Sequence, residues 1–220
     1  MVDEYLSERE QADQLRQWLR ENWLWLVAGV VLGLGSVFGY RWWNAHQTAR
    51  SQEAEQQFSA MLDALGRNQR KEGLQIASKI TGEYTDTPYA DQTLLVLARL
   101  EIESGDLGAA AATLKKVMDS TRDPELALVA RLRLARVQLA KGSYDEALAT
   151  LAAVENPAVA ARVAELRGDV MMARGQSADA LVAYRQAQSA TEEGKTADGL
   201  VDQELLRLKI DELSATTAAE

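Results

Sequence analysis

From Asn22 to Tyr40 the chain reads NWLWLVAGVVLGLGSVFGY, nineteen residues without a charge. As a helix rising about 1.5 Å per residue this run is roughly 28 Å long, close to the thickness of a bilayer's hydrocarbon core. Glu21 and Arg41 close it on either side. All five tryptophans lie in or beside it, with Trp23 and Trp25 at one end and Trp42 and Trp43, next to Tyr40, at the other. Amphipathic rings prefer the headgroup level, so Trp23, Trp25, Tyr40, Trp42 and Trp43 read as interfacial anchors of a transmembrane helix. A buried core helix is one competing account, but the Ala-rich, amphipathic remainder of the chain offers nothing to surround it. A cleaved signal peptide is the other. The leading arm carries Asp3, Glu4, Glu8, Glu10 and Asp13 where a signal needs a basic start, and no small-x-small cleavage site follows Tyr40. The run therefore reads as a retained signal anchor.

Arg9, Arg16 and Arg20 precede the span, and Arg41 and Arg50 follow it. That balance leans to a cytoplasmic N-terminus, and a short arm before a long trailing domain fits an anchor that sends its C-terminal part outward. Gly29 with Gly33, and Gly35 with Gly39, form two GxxxG pairs that would let a partner helix approach closely. Gly33-Leu34-Gly35 is no nucleotide loop, because a dinucleotide fingerprint must follow a strand and open a solvent-facing helix.

Beyond the anchor every proline marks the same place in a recurring unit: Pro88 in TDTPYADQ, Pro124 in TRDPELALVA and Pro157 in VENPAVAARVA, 36 and 33 residues apart. Each follows turn-forming residues and opens a stretch with helical apolar period, as proline does in a first helical turn. Gly105, Gly142 and Gly175 follow after 17, 18 and 18 residues, and a second helical stretch begins after each. A period near 34 with this grammar predicts an all-α solenoid of helical hairpins. It resembles the tetratricopeptide repeat family. The small residues carry the resemblance: Ala98, Ala135 and Gly168 in the first helices, and Ala110, Ala147 and Ala180 in the second, where paired helices touch. Tyr144 matches the family's aromatic after the turn; Leu107 and Ser177 depart from it, and the first helices lack the usual tryptophan. The 36 alanines of the chain acquire a cause here, since alanine favours helix and permits close packing.

Upstream, Gln47–Leu65 and Glu72–Tyr84 read as a degenerate leading pair around the polar turn GRNQRK. Downstream, Gly199–Leu213 reads as a capping helix after a polar, mobile loop over Ser189–Asp198. The expected organisation is a cytoplasmic arm over 1–21, an anchor with aromatic flanks over 22–43, repeats with a capping helix over 44–213, and a frayed tail over 214–220.

The residues offer no catalytic constellation. The absence of cysteine removes disulfide scaffolds, zinc–thiolate sites, iron–sulfur clusters and thiol nucleophiles. His46 is the only histidine and sits just past the aromatic belt, where it reads as another interfacial residue. Asp145–Glu146 and Glu192–Glu193 lack an apolar setting and read as solvated surface. No Walker loop is present, and a formal net charge of -9 argues against a nucleic-acid surface. No enzyme, cofactor or metal is expected.

First helices of such repeats usually line a concave groove. By the family's spacing its inward positions are Gln92, Leu95, Arg99 and Glu103, then Leu132, Arg136 and Leu139, then Glu165, Asp169 and Met172. Apolar rungs between charges suit an extended or helical peptide segment.

The order of arm, membrane helix and repeats, the start MVDEYLSEREQADQLRQWLRENW and the segment ending GYRWWN together resemble the YfgM family. That family is an ancillary subunit of the bacterial SecYEG translocon. The resemblance covers essentially the whole chain. It implies an inner-membrane protein with a periplasmic repeat domain, association with SecYEG and with the membrane-anchored periplasmic chaperone PpiD, and assistance to emerging secretory polypeptides. The alternative is a general membrane-anchored interaction scaffold with its repeats in the cytoplasm.

Overall fold

A computed structural model describes residues 8–192, 199 and 201–217. The expectations for residues 1–7, for most of the loop (193–198), for Leu200 at the start of the cap and for 218–220 lie outside the described residues. Among the described residues every regular element is helical: α1 (Glu8–Gly66), α2 (Arg70–Glu83), α3 (Pro88–Glu103), α4 (Leu107–Ser120), α5 (Pro124–Ala140), α6 (Tyr144–Ala152), α7 (Ala160–Ala173), α8 (Ser177–Glu192) and α9 (Gln203–Thr217). The chain divides into two units, Met1–Glu53 and Ala54–Glu220, so α1 contributes its first part to one and its last turns to the other.

Within the first unit the uncharged run is helical throughout and long and apolar enough to cross a membrane. Its large side chains stand in the open, Trp25 at 77%, Leu32 at 71% and Phe38 at 69% exposure. A helix apolar on every side needs an apolar solvent, either a protein core or lipid, and among the described residues none of its most apolar stretch is buried. Its few polar side chains turn back on their own helix. Asn22 Nδ2 donates to the Trp18 carbonyl at 2.9 Å and Ser36 Oγ to the Leu32 carbonyl at 2.8 Å. Such bonds satisfy the polar groups internally, as a hydrocarbon environment requires. A Cβ placed on Gly29, Gly33, Gly35 or Gly39 would meet nothing within 4 Å, so both glycine faces are open.

In the second unit one turn device is used four times. Gly105, Gly142 and Gly175 have φ of +80°, +75° and +76°, the left-handed conformation that ends a helix at little cost only for glycine and, less well, asparagine. The next residue then donates back five positions: Asp106 N to Glu101 O, Ser143 N to Gln138 O and Gln176 N to Met171 O, each at 2.9 Å. Asn68, with φ +58°, and Gln69 N to Ala64 O at 2.9 Å repeat the device in the leading pair. Asparagine therefore does glycine's work in the turn that reads as degenerate by sequence. Each turn satisfies orphan carbonyls and reverses the chain, so α3–α4, α5–α6 and α7–α8 form hairpins, as do the last turns of α1 with α2.

Pro88 and Pro124 open α3 and α5 in the first helical turn, the latter behind the cap Asp123, whose Oδ1 accepts from Glu125 N at 2.8 Å. The repeat opened by Pro157 departs from the expected pattern. Pro157 opens a 3-10 turn, Pro157–Val159, and α7 begins only at Ala160. Val159, at φ -117° and ψ 11°, interrupts the helix while its side chain is buried against Leu151, Val163 and Leu166. The C-terminal end also differs from expectation. Ser189–Glu192 are the last residues of α8, not loop, and α9 starts at Gln203 behind Asp202, which accepts from Glu204 N and Leu205 N at 3.1 Å each. Ser214–Thr217 are helical, the last residues of α9, beside buried Leu213, and Arg185 Nη2 donates to Ser214 Oγ at 3.4 Å.

The small residues sit where helices touch. Ala98, Ala110, Ala135, Ala147 and Ala180 are 0–1% exposed, and Gly168 is buried. Arginines then tie neighbouring helices through exposed carbonyls at helix ends. Arg70 Nη2 reaches Leu100 O at 3.3 Å and Arg131 Nη1 reaches Ala153 O at 2.7 Å. A cation at a helix C-terminus also complements its dipole.

Candidate partner-binding groove

The first helices α3 and α5 lie side by side with α4 behind them. Between them opens a cleft of about 350 Å³. Its floor is apolar. Leu95 and Ala98 come from α3, Leu114 from α4 and Val137 from α5, and all four belong to one buried cluster. Ile102, 40% exposed, Leu107 and Ala140 line it toward the turns. Arg99, Arg133 and Arg136 complete the lining, all three on exposed positions. Arg99 Nε donates to Glu103 Oε1 at 2.8 Å, one helical turn on, so its charge is partly answered at the surface. Among the described residues neither Arg133 nor Arg136 has a hydrogen-bonded or ion-paired partner.

The positions read from sequence divide into four groups. Leu95, Arg99 and Arg136 come together in this cleft, with Glu103 at its margin. Gln92 and Leu139 are half-buried on α3 and α5 without lining it, and Met172 is an exposed residue of α7. Leu132 is half-buried and packs against the cluster of Ala135, Leu151, Val159, Val163 and Leu166 without lining the cleft. Arg133 and Ile102 were missed. Arg133 stands three residues before Arg136 and seven before Ala140, so the three share the face of α5 that lines the cleft.

Glu165 and Asp169 have another occupation. Buried Glu165 is held by Arg162 and, at 3.3 Å, by Lys209 Nζ from α9. Lys209 Nζ also reaches Asp169 Oδ1 at 2.7 Å, and the Tyr184 hydroxyl donates to the same oxygen at 2.9 Å. Lys209 lies 5.2 Å from the Tyr184 ring centre. These groups clamp α9 to α7 and α8 and leave no free carboxylate pair for a ligand. Glu165 is the buried member, and a buried charge stripped of its partners costs several kcal/mol, of order 3–5.

Burial first, then the Asp169 charge and hydrogen bond, and lastly the Glu165 charge, push the Tyr184 phenol well above its ordinary range. An unfolded phenol ionises near about pH 10. Above that pH the unfolded chain releases a proton that the folded chain keeps. Stability should therefore fall as pH rises, by about 1.4 kcal/mol per unit. Urea midpoints across this alkaline range should show the decline, and Tyr184→Phe should flatten it. A slope unchanged by Tyr184→Phe would assign the alkaline loss to other groups.

The remaining candidates are structural. Asp145 accepts from Arg174 Nη2 at 2.7 Å, joining two successive turns. His46 stacks on Trp42 with ring centres 5.9 Å apart and planes 9° from parallel. Glu192 accepts from Gln188 within α8, and Glu193 lies outside the described residues. Among the described residues no group of three or more His, Cys, Asp and Glu is placed to hold a metal.

Comparison with known proteins gives a consistent set of similarities. A family model described as a tetratricopeptide repeat-like domain matches residues 16–215. The chain is 32% identical over 211 residues to the protein named ancillary SecYEG translocon subunit in Escherichia coli (strain K12), covering 96% of this chain and 98% of that one. It is 28% identical over 208 residues to the protein of the same name in Haemophilus influenzae, covering 94% and 98%. Among solved structures it is similar in fold to a MamA RS-1 double mutant, with a TM-score of 0.52, 21% identity, and coverage of 76% of this chain and 97% of that one.

Proposed function

This chain belongs to the YfgM family, the ancillary SecYEG translocon subunits that carry a tetratricopeptide repeat-like domain, and from that premise we propose that it is a non-enzymatic adaptor anchored beside the translocon. In this reading residues 1–21 are a cytoplasmic arm, 22–43 cross the inner membrane, and the repeats within 44–213 work in the periplasm. The partner is a membrane-anchored periplasmic chaperone of the PpiD type, and the pair assists polypeptides leaving the channel.

The observation that carries this is similarity along nearly the whole length, 98% of each relative named above, anchor and repeats included. The cleft supports it from the chemical side. It has an apolar floor and a charged rim and offers a side chain something to bury against. Tethering matters in its own right. Holding the repeats at the membrane raises the effective concentration of the cleft for whatever leaves the channel, to roughly the millimolar range for a short tether.

The test is photo-crosslinking in cells from a residue at the cleft margin such as Leu107. Replacing both Arg99 and Arg136 with Glu should reduce capture of the partner about tenfold, because reversed rim charges oppose docking. Capture that is undiminished in a variant with an unchanged unfolding midpoint would remove the cleft from the mechanism.

A further inference from the structure

Arginines of the repeat unit are mostly engaged by the protein itself. Arg70, Arg131 and Arg167 hold backbone carbonyls, and Arg99, Arg162 and Arg174 hold carboxylates. On α5 the contrast is local. Arg131 is bound to Ala153 O and lies 3.4 Å from Met118 Sδ, whereas Arg133 and Arg136 turn to the cleft without a partner among the described residues. Two guanidinium groups three residues apart on one helix repel each other mildly, and they persist in a chain whose net charge is -9. Their positions border an apolar floor built from Leu95, Ala98, Leu114 and Val137.

We propose that this cleft selects an acidic–apolar peptide segment, one whose large apolar side chain rests on the floor while adjacent Asp or Glu side chains pair with Arg133 and Arg136. The proposal rests on the adaptor reading and adds the chemistry of the partner. Charge complementarity decides the occupant. A basic or neutral unfolded segment could bury the same apolar side chain but would leave both guanidinium groups unanswered. A nucleic acid needs a far larger basic surface than three arginines. The cleft is at the small end of ligand cavities, which run from roughly 300 to 1,000 Å³, and so it receives an anchor side chain rather than a whole helix. Arginine suits the other half of the contact because its planar fork matches a carboxylate in two parallel bonds.

The experiment uses the full chain in nanodiscs of neutral phosphatidylcholine and three fluorescein-labelled peptides on one scaffold. The first has a Leu flanked by Glu and Asp, the second the same Leu flanked by Lys, and the third Ser in place of Leu with the acidic flanks kept. Fluorescence anisotropy should show the first binding roughly tenfold tighter than either of the others, with an affinity that falls as salt rises. The double substitution Arg133→Glu and Arg136→Glu should reverse the preference, so that the Lys-flanked peptide now binds tighter, a gain that misfolding cannot produce. Equal affinity for all three peptides, a wild-type preference for the Lys-flanked one, or a preference unchanged by the double substitution would overturn the proposal. Failure of the adaptor reading is distinguishable. Peptide selectivity without any crosslink in cells would remove the adaptor and leave the selectivity. Crosslinks mapping to a segment without acidic residues would do the opposite.

Discussion

Gly168→Val is expected to destabilise the repeat unit by about 3 kcal/mol, the upper part of the usual range for overpacking a core. A Cβ at Gly168 would stand 2.3 Å from Tyr184 Cε1 and 2.5 Å from Cδ1, distances no real contact reaches. The ring has little room to yield. Tyr184 is 2% exposed, its hydroxyl is bound to Asp169, and its cluster includes Ala161, Leu206 and Ile210. The two branches of valine would drive α7 and α8 apart at the point where α9 also docks. Urea unfolding of the full chain in detergent measures the effect, with Gly82→Ala as the contrast, since a Cβ at Gly82 meets nothing within 4 Å. That control should be neutral or stabilising, because alanine is the better helix former. Adding Tyr184→Leu to Gly168→Val should recover part of the loss by relieving the clash. An unchanged midpoint in Gly168→Val would mean that the Tyr184 ring swings out freely and that the clamp on α9 is not needed for stability.

The second large effect concerns the anchor. Val31 and Leu34 lie near the middle of the uncharged run, 62% and 54% exposed. Arginine at the centre of a span costs about 2.5–3.5 kcal/mol on insertion scales, so Val31→Arg with Leu34→Arg together should cost about 6 kcal/mol. A single charge can be drawn to the interface along its own stem, but two at the midplane cannot both escape. The variant should move from the membrane pellet to the soluble fraction. An alkaline phosphatase reporter fused after Glu220, active only outside the cytoplasm, should lose its activity with it. A variant that stays in the pellet would transfer the anchoring role to a partner protein. A wild-type fusion without activity would reverse the proposed orientation.

These two sites were unequally legible in the sequence. A helix long and apolar enough to cross a membrane was readable, because that property depends on a run of side chains and hardly on their neighbours. The hairpins were readable from Pro88, Pro124, Gly105, Gly142 and Gly175, since left-handed turns and first helical turns are each met by very few residue types. Asn68 escaped that reading although it takes the same conformation, because asparagine serves many other turns as well. Val159 escaped it too. Its side chain is buried with Leu151 and Val163 from the neighbouring elements at the point where the 3-10 turn opened by Pro157 gives way to α7.

The groove was half legible. Leu95, Arg99 and Arg136 follow from register alone as groove positions, and the structure places all three on one cleft, whose use by a partner is a proposal. Glu165 and Asp169 had the same register, but Lys209, some forty residues away, claims both of them. Leu132 packs half-buried against the cluster of the next pair, and Arg133 lines the cleft. Local chemistry therefore determined, from the sequence by itself, that this chain has an uncharged span with aromatic ends and a stack of helical hairpins. Each of those properties is a matter of nearby residues repeated at fixed spacing. Which charges stayed free to meet a partner was decided only by the tertiary structure, because an arginine or carboxylate is available only when no side chain from a distant helix has reached it first.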